Sequence, residues 1–292
     1  MTIQQTRDVS LATVPVLREA DMARYLRAMG RRVVEHRGRQ WEQILPGFYR
    51  PVHPLARLSS TEATRPTRAC WGFQACLADG DAHRADAAVP AHLIGDLDSI
   101  REEALPGSRR AALRKARRRV ELVQLTGPDL LQQNGYDVYR SYHRRTGYGS
   151  LPTPEEYQSS LEHFCDPGHG LVLAGIVNGR LGGYISGHAV DGTAYIREVV
   201  VASEVLDTQI SIGLTYEFFF ACRRSTEVKE VVHGFHTPEN AGLCQHKDRL
   251  GMTVERVPAR VVMPPGIEAL MRRSNPGKVY RLTGRQRADR AG

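Results

Sequence analysis

Lys247 is one of only four lysines in a chain whose forty basic residues are otherwise arginine. It stands in a segment, residues 239–250, patterned as a helix. A cation there can steady negative charge developing on an oxygen, or contact a phosphate. A solvated helical lysine is the alternative. Glu198 lies in the run Ile196, Arg197, Glu198, Val199, Val200. Strand alternation puts it on one face with Ile196 and Val200. A carboxylate on an apolar face has a raised pKa and can act as a general base. A buried pair with an arginine is the other possibility. Tyr184, Ser186 and His188 alternate along a second strand and share a face. They can line a substrate groove or form an ordinary half-buried polar face.

His233 and His236 are an odd number of residues apart on a strand, so they point to opposite faces. Cys244 and His246 diverge by about 200° on a helix. No metal site is therefore expected, and His236 alone remains an acid–base candidate. Seven positive charges crowd between Arg109 and Arg119. A helix of that length spans about 16 Å. Ala112, Leu113, Ala116 and Val120 form its apolar face. Arg109, Arg110, Arg114, Arg117 and Arg118 are candidates to track the phosphates of an RNA, with steep salt dependence. A solvated charged face is the plainer explanation.

The elements that must position these residues follow from composition and pattern. The chain has 292 residues, 41% hydrophobic and 25% charged, with a formal charge of +8. That is a globular composition with ample core. The charge fits an arginine-rich genome or an anionic partner. No apolar run approaches ~18 residues, so no membrane span is expected. The first residues lack a basic start and an apolar core, and the five cysteines are scattered without a C-x-x-C pair. Free thiols and a cytoplasmic location are the expectation.

Residues 1–104 contain a helix at 18–29, a hairpin of 32–37 and 40–45 around Gly38, and an apolar strand at 69–77. Residues 46–68 and 78–90 read as loops. Residues 105–292 are better patterned. A basic helix at 108–120 leads into a strand, then helices at 129–145 and 154–164. Three strands at 171–178, 181–190 and 193–202 are split by Asn178-Gly179 and Asp191-Gly192, both strong hairpin signals. A helix at 208–224, a strand at 230–236, a helix at 239–250 and a strand at 252–263 complete the order. The fold class is α/β, a mixed sheet with helices on both faces.

This order resembles the GNAT acyltransferase fold. The stretch from Asn240 to Met252 is similar to the GNAT ending, in which an Asn opens a helix and Leu-Gly closes it. Typical CoA-dependent members carry a glycine-rich loop that cradles the pyrophosphate. Here the corresponding stretch is Asp207, Thr208, Gln209, Ile210, Ser211, Ile212, Gly213, Leu214, and only Gln209 and Gly213 match. Lys247, in His246-Lys247-Asp248-Arg249-Leu250-Gly251, takes the place of the lysine in the Phe-Lys-x-x-Phe-Gly form of the Fem-like group. The basic helix also resembles the one leading into that group's second domain. The resemblance implies a GNAT-like domain at 105–292 and a reduced GNAT-like domain at 1–104, carrying Tyr25, Leu26, Gly30, Gly38 and Trp41.

It further implies transfer of an aminoacyl group from aminoacyl-tRNA to a free amine of a peptide or small metabolite, with no tightly bound cofactor. Lys247 would steady the leaving 2′/3′ oxygen, and Glu198 or His236 would manage protons. Tyr184, Ser186, His188 and Asn240 would line the substrate site, and the basic helix would hold the tRNA. Two alternatives stand beside this: an N-acyltransferase using acetyl-CoA, and an inert GNAT-like module that binds RNA or protein.

Overall fold

A computed structural model describes residues 5–161 and 164–285. Its contacts separate two compact units that interleave in sequence. The first comprises residues up to Val16 together with Gly95–Val231; the second comprises Leu17–Ile94 together with the chain from Val232. This division replaces the continuous one at residue 104, because strands far apart in sequence close the second unit.

In the first unit, Thr6–Asp8, Glu121–Leu125, Leu171–Val177, Arg180–Val190 and Thr193–Val201 lie side by side, each antiparallel to the next. The two expected hairpins form. Asn178, Gly179, Asp191 and Gly192 all have positive φ, as a tight primed turn requires. Helices Asp129–Thr146 and Pro154–Ser160 contribute Leu131, Val138 and Tyr157 to one core, with Val172, Ala174, Tyr184 and Val200 from the strands. Thr153 and Glu156 cap the second of these helices reciprocally. Helix Ile210–Arg224 is apolar nearly all round and is buried accordingly, including Leu214, Phe218, Phe219 and Cys222. Phe218 occupies the space that a side chain at Gly187 would need.

In the second unit the strand order is the part of strand Glu230–Phe235 from Val232 on, then Ala87–Ile94, Thr253–Val262, Gly72–Cys76, Phe48–Pro51, Arg39–Leu45, Val33–His36. The hairpin at Arg37-Gly38 forms as expected, again with both φ positive. Strand Ala87–Ile94 falls partly in a stretch that reads as a loop. Pro90 cannot donate to a ladder, which argues against a central strand. Its carbonyl nevertheless accepts from the His236 amide at 2.8 Å, and the residue pairs with Arg256. Phe48–Pro51 lies in the other expected loop. Two helices, Pro265–Ser274 and Pro276–Thr283, follow the last strand. Among the described residues no helix is long and apolar enough to cross a membrane, and all five cysteines are free and buried.

Candidate functional site

Helix Ala241–Arg249 starts at Asn240, whose Oδ1 accepts from the Leu243 amide at 3.1 Å. That oxygen serves as the helix cap. Cys244 and Lys247, three apart, face inward. Lys247 is only 4% exposed. Its Nζ donates to the Phe235 carbonyl at 3.4 Å, and among the described residues no carboxylate pairs with it. Burial pushes its pKa down to about 8. The solvated-lysine alternative is thus excluded for Lys247. At neutral pH it is still mostly a cation, held in a dry interior with fewer acceptors than its three protons can use.

Three imidazoles feel that charge. Burial first, and then Lys247, lower the pKa of His92 to about 4 and of His233 to about 3; His246 is lowered for the same two reasons. These rings stay neutral, so they add no charge of their own. His236 is held differently, with Nδ1 against the Tyr280 hydroxyl at 2.8 Å. His92 carries no sequence signal of its own: it lies just past the 78–90 stretch that reads as a loop. It stacks edge-on against His236, with ring centroids 5.4 Å apart. It also lies beside Cys244, and one ligand atom from each of His92, His236 and Cys244 lies within 4.8 Å of the others. His92 comes from strand Ala87–Ile94, far in sequence from the other two.

Glu198 belongs to the first unit. It pairs with Ser186, and Tyr184 pairs with Val200, so these four share a face. Ile196 does not join them. The ladder slips at Ser186 and Gly187, Arg197 becomes the extra residue of a bulge, and Ile196 sits opposite Gly187. The Arg197 guanidinium does not pair with Glu198; it lies over the Phe164 ring at 5.5 Å. Glu198 makes no hydrogen bond or ion pair among the described residues, and burial raises its pKa. Its charge in turn contributes to raising the phenols of Tyr139, Tyr142, Tyr157 and Tyr184, mainly elevated by their own burial. The carboxylate therefore stands among tyrosines. The buried Ser186 Oγ has no hydrogen-bond partner among the described residues, and the Tyr157 phenol interacts with that of Tyr184. His188 stacks on Tyr195 at 5.6 Å. The spacing of Tyr139 and Tyr142, three apart on one helix, was the sequence's clue to this wall.

The basic helix runs from Gly107 to Arg119 and buries Leu113 and Ala116. Its arginines are not equivalent. Arg117 donates to Glu217 at 2.8 and 2.9 Å and to Glu102 at 2.6 Å. Glu217 is 5% exposed. Arg117 is therefore a structural residue, which corrects its place among the RNA contacts: a buried carboxylate requires it. Arg110 reaches the Glu103 carbonyl at 3.1 Å, and Arg109 bonds the Tyr216 phenol. Arg114 and Arg118, four apart on the exposed face, make no hydrogen bond or ion pair among the described residues. Arg117→Ala should cost about 2 kcal/mol, less than a fully buried pair because the arginine partly meets water. The double variant of Arg114 and Arg118 to Ala should change stability by no more than about 0.5 kcal/mol and weaken RNA binding. Urea melts and a filter-binding salt series check both; an unstable double variant with intact Arg117→Ala would reverse the assignment.

The stretch before helix Ile210–Arg224 does not fit a CoA pyrophosphate. Asp207 places a carboxylate there, paired with Arg119 at 3.0 Å. Gln209 adopts φ 66° and Ile210 is fully buried. Gly213 faces Ala116 and serves helix packing.

Known structures share this architecture. FemX superposes with a TM-score of 0.59 at 8% identity, over 90% of this chain and 96% of its own. The C-terminal domain of a protein assigned as a lysylphosphatidylglycerol synthetase, from Agrobacterium fabrum, gives 0.56 at 12% identity, over 90% and 92%. No family model and no curated protein matches the sequence.

Proposed function

We propose that this chain, which has the Fem-like form of the GNAT fold, is an amide-forming acyltransferase that moves an aminoacyl group from aminoacyl-tRNA to a free amine of a peptide or small metabolite. The observation that carries this is Lys247: a buried cation with no carboxylate partner among the described residues. Such a group is stabilised when an anion arrives, so it favours a state in which negative charge develops on the ester's leaving oxygen. In the reaction the amine nitrogen bonds to the ester carbonyl carbon. The C–O bond to the ribose breaks, and the 2′/3′ oxygen takes a proton that Lys247 can donate. The amine sheds a proton to solvent, and Glu198 is a separate candidate base carried by the first unit alone. No proton step is assigned to His236, whose Nδ1 is engaged by Tyr280. Arg114 and Arg118 are the residues left to meet tRNA phosphates. Use of charged tRNA places the reaction in the cytoplasm.

Acetyl-CoA is disfavoured as donor by Asp207 and the missing glycines of the loop. Incubation with mixed charged tRNAs, or with acetyl-CoA, and a panel of amines tests the reading. RNase-sensitive amide product from charged tRNA is expected. Product from acetyl-CoA that survives RNase would overturn it. RNA binding without product from either donor would favour an inert module.

A further inference from the structure

A cluster in the second unit is left unused by acyl transfer. His92 comes from strand Ala87–Ile94, His236 follows strand Glu230–Phe235, and Cys244 lies on helix Ala241–Arg249. One ligand atom from each lies within 4.8 Å of the others. His92 is 0% exposed, and among the described residues neither of its ring nitrogens has a hydrogen-bond partner. A buried polar atom left unpaired costs about 1–3 kcal/mol. An imidazole with both nitrogens unpaired is an unusual thing to keep in a core unless something binds it. His236 is oriented by its Nδ1 contact to Tyr280, which leaves Nε2 as the ligating atom. A hydrogen bond to the far nitrogen fixes the orientation of a ligating ring, and here the Tyr280 hydroxyl supplies it. The Cys244 thiol is buried, 3.3 Å from the Thr237 carbonyl.

We propose that His92, His236 and Cys244 form a zinc site with a fourth position open to water or a substrate atom. Two imidazoles and one thiolate suit a borderline-soft ion, and the absence of a carboxylate from the set disfavours magnesium and calcium. Zinc at about 2.0–2.3 Å from each donor requires donor atoms roughly 3.3–3.6 Å apart, so a pair at the 4.8 Å limit closes by up to about 1.5 Å on binding. The Cys244 thiol releases its proton to solvent as the zinc–sulfur bond forms. Zinc would replace the missing partner of His92 and offset its burial.

The test uses the full chain after dialysis against a chelator, with Co²⁺ and then Zn²⁺ as probes. One equivalent of metal per chain should survive gel filtration. Co²⁺ should give a thiolate charge-transfer band with the visible intensity of a tetrahedral site. Cys244→Ser and the half-buried His236→Gln should each lower metal affinity by at least ~10-fold while far-UV circular dichroism stays unchanged. Cys165→Ser, a buried thiol of the first unit, should leave binding intact. Should both ligand variants misfold, the wild-type cobalt spectrum decides. No thiolate band in the wild type, or equal metal binding in a folded Cys244→Ser, overturns the site. These readouts are metal content and spectrum, so they fail independently of the acyl-transfer assay.

Discussion

Lys247→Met should make the protein more stable and nearly inactive. The pKa of about 8 means that the folded state holds this proton less tightly than the ordinary value of 10.5. That difference corresponds to about 3 kcal/mol of penalty for burying the ammonium. The sign follows from proton counting. Between about pH 8 and 10.5 the unfolded chain binds more protons at this site, so its contribution to stability rises with pH across that window. Below pH 8 the penalty is present in full. Methionine fills a similar volume without charge, and it leaves the Phe235 carbonyl without its donor. The net gain at pH 7 should be about 1–2 kcal/mol. Turnover should fall by about 100-fold, the usual loss when a group that stabilises a developing oxyanion is removed. Urea melts of chelator-treated wild type and variant at pH 7 and pH 10, beside single-turnover rates, decide the matter. The stability gain should shrink at the higher pH. A destabilised variant, or one with wild-type turnover, would remove Lys247 from the mechanism. A residue kept at a cost in stability is the usual mark of function.

Glu198→Gln should likewise lower turnover by about 100-fold, as loss of a positioned base does. The wild-type rate should fall as pH drops through a value above the ordinary glutamate pKa of 4.5, because burial holds the proton on. The variant's residual rate should lack that limb. Stability moves the opposite way to the Lys247 case. Protonated Glu198 is the form the fold prefers, so its stabilising contribution is present below pH 4.5 and is lost as pH rises through the folded value. The amide variant should therefore match or exceed the wild type in stability at pH 7. A pH–rate profile with the acid limb unchanged in Glu198→Gln would show that another group takes the proton. Ser186 offers an internal control, since it pairs with Glu198 and its Oγ is unpartnered. Ser186→Ala should alter KM more than the position of the acid limb.

Local pattern made most of this molecule legible. Both Asx-Gly hairpins, the helix after the third strand of the meander, and helix Ala241–Arg249 appear where turn chemistry and apolar spacing put them. Features that depend on a single neighbour in sequence are local, and a turn needing positive φ is the clearest of them. What was not legible was of a different kind. The bulge at Arg197 separates Ile196 from Glu198, although strict alternation joins them. Strand Ala87–Ile94 is alanine-rich and carries Pro90, so its own residues argue against it; pairing with Thr253–Val262 overrides that preference.

The charges tell the same story. Sequence counting singled out Lys247 by its rarity and Arg109–Arg119 by crowding, and those facts need no structure. Only the tertiary structure showed that Lys247 is buried with no counter-charge among the described residues, that Arg117 answers the buried Glu217, and that His92 meets His236 and Cys244. The physical reason is that a residue's identity and spacing are properties of the chain. Its solvation and its partners are set by segments up to a hundred or more residues away, and it is solvation and partners that decide what a charge can do.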